Sequence, residues 1–260
     1  FFFLLSAYYV LRPVRDEMGI QGGIRNLPWL FTGTFIGMLT TVPLFGWAAS
    51  RFPRRILVPG VYYFFIVNLL LFYGLMTSKV DPATTAKAFF IWLSVFNYFV
   101  VSVFWMLMAD IFRSQDAKRL FALIAAGGSL GAITGPLITR AVVTSTGIPA
   151  LLLISAALLV CVCVCVHLLL RWSGDLQHAN LGAALGGSIF AGLKLTFANP
   201  YLLAISGYIL LLQTLGTVFY LEQIKLVAET IASPAERTEL FATLDAAVNL
   251  LTLLLQIFVT

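Results

Sequence analysis

The feature that most constrains this chain is a succession of apolar runs of about 20 residues or more without charge. Leu27–Ala49, Ala88–Ala109 and Asn199–Leu221 are examples. As α-helices, runs of this length rise about 30 Å, the thickness of a bilayer's hydrocarbon core. Only 10% of the residues are charged, against about 25% in soluble domains. The sequence therefore predicts an all-α polytopic membrane protein, and the absence of alternating polarity in the runs argues against a β-barrel.

The positions of the runs predict eight spans, joined mostly by short loops. The spans are Phe1–Leu11, Leu27–Ala49, Ile56–Ser78, Ala88–Ala109, Arg119–Val142, Pro149–Leu170, Asn199–Leu221 and Leu240–Thr260. We expect residues 1–171 to form a six-helix bundle and residues 199–260 to be the first two spans of a second, truncated bundle. About eight of twelve spans are then present, in the paired-half organisation of many secondary transporters.

Residues 172–198 are expected to be the linker between the halves. In this segment Ile189, Phe190, Leu193 and Phe197 share one helical stripe, with Lys194 beside it. Such a pattern is typical of a helix that lies in the membrane interface. The sequence thus predicts an interfacial helix within the linker.

The net charge of +5 indicates contact with lipid headgroups and no nucleic acid, because the basic residues stand mainly at the ends of the apolar runs. The two sides of the membrane carry equal numbers of basic residues, so this count alone does not orient the chain. The short loop Arg51–Arg55 holds three arginines, which favours a cytoplasmic position for this loop and for the linker.

The segment Tyr8–Gly19 points most directly to a ligand. On a continuous helix Tyr8, Arg12 and Arg15 fall within one narrow arc, and Asp16 lies one turn beyond Arg12, close enough to pair with it. Arginine presents a planar fork of donors to phosphate oxygens, and an aromatic ring offers a stacking face. The alternative is an exit loop, in which Pro13 ends the helix and both arginines extend to headgroups. The residues by themselves leave both interpretations open.

Asp245 is a charged residue well inside the last predicted span, with Asn249 one turn later on the same face. A carboxylate at that depth is costly without a partner, so we expect it to face the bundle interior. It is interpreted as a proton or cation site, as a partner for a base, or as a structural polar contact. Asn97 is a further candidate to line a substrate cavity.

Two groups are candidate gating residues. Glu222 and Lys225 end the seventh predicted span, either as a gate pair or as an interfacial ion pair. Arg51, Arg54 and Arg55 follow Gly46 in the second-to-third loop, as a latch to a neighbouring helix end or as a topology signal. Asp110, at the end of the fourth predicted span, is interpreted mainly as a topology residue.

No catalytic, metal or cofactor site is predicted. Cys161, Cys163 and Cys165 stand two apart, so on a helix they point away from one another and cannot converge on one ion. The chain has no phosphate-binding Gly-Lys-Ser/Thr loop and no convincing nucleophile constellation. We therefore expect no enzymatic activity and no cofactor.

Two features resemble the major facilitator superfamily. The loop from Gly46 to Arg55 is similar to its cytoplasmic loop signature, and Gly131-x-x-x-Gly135-Pro136 is similar to its fifth-span motif. Gly127, Gly131 and Gly135 share one helical face, where two backbones can approach closely. The resemblance implies a facilitator-like helical bundle.

Four further segments resemble the ATP:ADP antiporter family, in the same order along the chain. These are Arg12-Pro-Val-Arg15-Asp16, the stretch from Phe104 through Arg113 to Phe121, Lys194–Leu203 and Leu221–Lys225. The resemblance implies the exchange of nucleotides across a membrane. It covers the chain from about Tyr8 onward.

The sequence therefore predicts a secondary transporter that exchanges nucleotides or other phosphorylated anions by alternating access. We expect an integral protein of the bacterial inner (plasma) membrane, in contact with the lipid bilayer and a small-molecule substrate. The alternatives are a proton-coupled facilitator for another solute and a non-transporting membrane receptor or scaffold. The sequence does not predict an oligomeric state.

Overall fold

A computed structural model describes residues 1–78, 80–112, 114–174 and 191–259, and every regular element in these ranges is a helix. The α-helices are α1 (Phe2–Gln21), α2 (Leu27–Arg51), α3 (Arg54–Thr77), α4 (Pro82–Ile111), α5 (Ser114–Thr146), α6 (Ile148–Gly174), α7 (Ala191–Ala198), α8 (Pro200–Thr230) and α9 (Pro234–Val259). A single 3-10 turn, Ile24–Asn26, precedes α2. The predicted all-α class is confirmed.

Among the described residues, seven helices are long and apolar enough to cross a membrane. They are α2, α3, α4, α5, α6, α8 and α9, which correspond to predicted spans two to eight. Helix α1 has 20 residues and is also about 30 Å long. It falls outside this group because Arg12, Arg15, Asp16 and Glu17 are crowded into its second half.

Helix α1 continues through Pro13 to Gln21, so the span predicted to end at Leu11 is too short and the predicted exit loop is wrong. Proline removes one backbone donor, but neighbouring helices satisfy nearby carbonyls, as is common in membrane bundles. Thr139 on α5 donates to the carbonyl of Val10, and Ser155 on α6 donates to that of Ala7, both at 2.9 Å. The arginines are therefore held on a helix inside the bundle.

Other helices also extend beyond the apolar runs, because polar turns at the membrane surface continue the same helix. Helix α4 begins at Pro82, six residues before the predicted start. Asp81 caps it by accepting hydrogen bonds from the hydroxyl and backbone NH of Thr84 and from the NH of Ala83. The hydroxyl bond from Thr84 is the main reason that the pKa of Asp81 is lowered.

Helix α1 forms the centre of the core, where Leu4, Val10 and Val14 are fully buried. It packs against α4, α5 and α6. Its approach to α5 is close at Gly135, where an added Cβ would lie 2.7 Å from the Cβ of Tyr9 and 2.8 Å from the carbonyl of Ser6. The predicted glycine face of the fifth span is thus the surface that receives α1.

Helix α9 packs against α5 and α1, whereas α8 is largely exposed. The buried residues of α8 lie in its last turns, where Ile224 and Val227 join Leu27 and Phe90 in a small apolar cluster. Of the predicted interfacial helix, α7 covers Ala191–Ala198. Ile189 and Phe190 lie outside the described residues, as do the side chains of Leu193 and Lys194. The division into two bundles stays a prediction.

Candidate functional site

Arg12 on α1 and Asp245 on α9 form an ion pair, with Nη1 and Oδ1 3.3 Å apart. Each residue lies about 15 Å along its helix, so the pair is near the middle of α1 and of α9. The Arg12 side chain is 37% exposed and that of Asp245 is 12% exposed. The Oδ2 atom of Asp245 is buried and has no hydrogen-bond partner among the described residues. The expectation that Asp245 faces the interior as a partner for a base agrees with this geometry.

Arg15 lies one turn further along α1, against aromatic rings. Its guanidinium carbon is 4.3 Å from the ring centroid of Phe90 on α4 and 5.9 Å from that of Tyr220 on α8. Cations over ring faces are attracted by the ring quadrupole. The buried Nε of Arg15 has no hydrogen-bond partner in the described part of the chain. The two rings thus hold the Arg15 guanidinium in place, and its Nε donates no hydrogen bond to the described residues.

Asp16 is buried and accepts a hydrogen bond of 2.6 Å from the hydroxyl of Tyr220. The sequence offered Asp16 as a possible partner of Arg12. In the structure the carboxyl of Asp245 lies at the guanidinium of Arg12, and the carboxyl of Asp16 accepts the hydrogen bond of Tyr220. We call Arg12, Arg15, Asp16, Tyr220 and Asp245 the central charge cluster.

Glu17 and Arg237 form a second, more buried contact between α1 and α9. The Nε and Nη2 atoms of Arg237 donate to the two carboxylate oxygens of Glu17 at 2.6 and 2.7 Å. Gln21 donates to Glu17 as well, and the remaining Nη1 of Arg237 donates to the carbonyls of Ile231 and Ala232. In this bidentate geometry the guanidinium and the carboxylate neutralise each other, and the contact joins the end of α1 to the start of α9.

Sequence reasoning missed Tyr220 as a member of the central charge cluster. It also missed the neighbouring contact between Glu17 and Arg237. Glu17 directly follows Asp16 in the predicted ligand segment, and this adjacency was the available signal. No local pattern marks Arg237, which is 220 positions from its partner. Tyr220 lies in an apolar run, where a tyrosine is as typical of packing as of binding.

The remaining predicted binding residues are placed less centrally. The ring next to the Arg12 guanidinium is that of Tyr9, at 5.6 Å, whereas Tyr8 is half-buried against the core. Asn249 donates to the carbonyls of Ala132 on α5 and Asp245, so it joins α9 to α5. Asn97 on α4 is half-buried, and no hydrogen bond to the central charge cluster is found for it among the described residues.

The three predicted gating arginines of the second-to-third loop differ in their burial and in their contacts. Arg54, which is 3% exposed, pairs with Asp110 and so joins the start of α3 to the end of α4. The interpretation of Asp110 as a topology residue is therefore incomplete. Arg51 lies over the ring of Trp47, and Arg55 is exposed.

Glu222 and Lys225 form an ion pair of 2.8 Å within α8, with side chains 66% and 51% exposed. This pair joins no two elements. Such exposed pairs contribute little to stability.

The central charge cluster thus gathers opposite charges from α1 and α9, with an aromatic contribution from α4 and α8. Charged groups inside a membrane bundle are costly and are typically retained where they bind a ligand or ion. Two arginines with spare donor capacity beside rings are suited to a planar or tetrahedral anion.

The sequence model of the Major Facilitator Superfamily matches residues 1–259. No curated protein matches the chain, and no solved structure does. The match is at the level of the superfamily, so the resemblance to the ATP:ADP antiporter family stays a prediction.

Proposed function

The chain belongs to the major facilitator superfamily of secondary transporters, and on that premise we propose that it exchanges phosphorylated anions, nucleotides among them, by alternating access. The observation that carries the proposal is the buried Nε of Arg15, which has no hydrogen-bond partner among the described residues and lies one helical turn from a second arginine. A phosphate group accepts several hydrogen bonds from guanidinium groups, and such charge-assisted bonds are among the strongest in proteins.

The Arg12–Asp245 pair supports the same proposal. Its contact is a single one at 3.3 Å, and the second carboxylate oxygen has no partner in the described residues. A doubly charged phosphate offers more acceptor oxygens than this carboxylate and can compete with it for Arg12. Because the pair joins α1 to α9, competition by cargo alters a contact between the predicted halves.

Exchange follows from the cost of moving unpaired charge through the bundle. Without cargo, no close ion pair neutralises Arg15 among the described residues, although Asp16 attracts it at longer range, and reorienting it through an apolar interior is unfavourable. A bound anion neutralises the arginine, so the loaded transporter changes conformation more readily than the empty one. The transporter then requires cargo on both sides.

The test is counterflow in liposomes that contain the intact protein and are preloaded with unlabelled ATP. We expect uptake of labelled ADP that depends on internal nucleotide. Arg15→Ala should lower its rate at least about tenfold, since hydrogen bonds to charged groups contribute about 1.5–3 kcal/mol. Arg171→Ala, at an exposed arginine near the end of α6, is the matched control and should exchange normally. Normal exchange by Arg15→Ala would end this assignment.

A second candidate function is proton-coupled transport of another solute, with Asp245 as the proton site. The buried Oδ2 of Asp245 favours it, because this oxygen has no hydrogen-bond donor among the described residues and so has an unoccupied acceptor position for a proton. Uptake driven by a pH gradient without internal substrate, and its loss in Asp245→Asn, would favour this function over exchange.

A further inference from the structure

Tyr220 is the residue through which α8 reaches the arginines of α1. Its hydroxyl donates to Oδ1 of Asp16 at 2.6 Å, and its ring lies 5.9 Å from the guanidinium carbon of Arg15. The ring also packs edge-on against Phe31 of α2, at 5.8 Å between centroids. Three contacts to two other helices fix both the ring and the hydroxyl of this one side chain.

Asp16 can compete with the phosphate group of the cargo for the two arginines. It directly follows Arg15 and lies four residues after Arg12, a spacing that permits an ion pair on one helix. An acid that paired with either arginine would occupy donors that a phosphate group needs. In the described residues, however, no close ion pair joins Asp16 to Arg12 or Arg15, so their attraction acts only at longer range, and Oδ1 of Asp16 accepts the hydrogen bond of Tyr220.

We infer that Tyr220 is a positioning residue that withholds Asp16 from the two arginines and so keeps Arg15 available to the phosphate of the cargo. This inference rests on the proposed function and deepens it, since it assigns part of the binding site to the second predicted half. Because Tyr220 is on α8, Arg15 is fully available only while α8 and α1 are in contact.

The test measures KM and kcat of nucleotide counterflow in the intact protein. Tyr220→Phe keeps the ring against Arg15 and Phe31 but removes the donor to Asp16. We expect KM to rise about tenfold, the effect of about 1.4 kcal/mol in binding free energy, while kcat changes less. Tyr208→Phe is the matched control, because Tyr208 is on the same helix and 67% exposed; its KM should equal that of the unmodified protein.

The decisive comparison adds Asp16→Asn, which removes the competing charge. In that background, Tyr220→Phe should change KM less than about twofold, because no carboxylate remains to be withheld. A purely structural role of the hydroxyl does not give this rescue. If Tyr220→Phe does not fold alone, the double variant is compared with Asp16→Asn: a KM about tenfold above that of Asp16→Asn overturns the inference.

The outcomes separate this inference from the proposed function. Exchange that depends on Arg15 but is insensitive to Tyr220→Phe overturns the role of Tyr220 and leaves the proposed function intact. An equally raised KM in both Asp16 backgrounds also overturns that role. Absence of nucleotide counterflow in the unmodified protein overturns both.

Discussion

The buried contact between Glu17 and Arg237 leads to the most quantitative prediction about stability. Glu17 is fully buried and the Arg237 side chain is 10% exposed, with two hydrogen bonds of 2.6 and 2.7 Å between them. Arg237→Ala leaves the carboxylate with Gln21 as its described donor and frees the carbonyls of Ile231 and Ala232. Removing one member of a buried pair costs about 3–5 kcal/mol.

The assay is reversible unfolding in mixed micelles, from which the free energy of unfolding of each variant is obtained. Arg140→Ala is the matched control, because Arg140 also pairs with a residue of α9, but at 3.9 Å and with a side chain that is 54% exposed. We expect Arg140→Ala to lower that free energy by only about 0–1 kcal/mol. A similarly small loss for Arg237→Ala would refute the reasoning.

A double variant separates the charge from the packing. Glu17→Leu with Arg237→Met replaces the ion pair by apolar side chains of similar length, so no unpaired charge remains buried. Such replacements are often neutral or stabilising, and we expect the double variant to be more stable than Arg237→Ala. A double variant as unstable as the single one would show that the hydrogen bonds to the carbonyls, and not the ion pair, dominate.

Three further predictions concern the helix ends and the α1–α5 contact. Gly135→Ala should lower the free energy of unfolding by about 1–3 kcal/mol, as overpacking does, whereas Gly207→Ala, with open space around its Cα, should not lower it. Arg54→Ala should cost about 1.5–3 kcal/mol through loss of the bond to its acidic partner, and Arg55→Ala, at an exposed site, should change stability by less than about 0.5 kcal/mol. Because the pKa of Asp81 is lowered in the folded protein, its contribution to stability is present above the ordinary aspartate pKa and is lost as the pH falls below about 4. Asp81→Asn keeps a capping side chain, so its unfolding free energy should lack this step; an identical acid profile for both proteins would contradict the assignment.

Much of the candidate site could be predicted on α1, because the charged residues there stand out against an apolar helix. Arg12, Arg15 and Asp16 are all in the central charge cluster, and the depth of Asp245 correctly indicated an interior position. Helical spacing offered Asp16 as a partner of Arg12, whereas the structure places Asp245 at its guanidinium. The spacing argument favoured Tyr8, whose side chain interacts electrostatically with both arginines, and the structure adds the ring of Tyr9 beside Arg12.

The sequence by itself determined the approximate positions of the seven membrane-length helices found among the described residues, because a bilayer admits only backbone whose hydrogen bonds are satisfied within the helix, and that demand is local. It also determined which face of α5 receives another helix, because glycines four residues apart share one side. Only the tertiary structure decided which charges meet. The contacts of Asp16 with Tyr220, Glu17 with Arg237 and Arg12 with Asp245 each join α1 to helices more than two hundred residues away. Coulombic attraction depends on distance in space, and that distance is set by how α8 and α9 pack against α1.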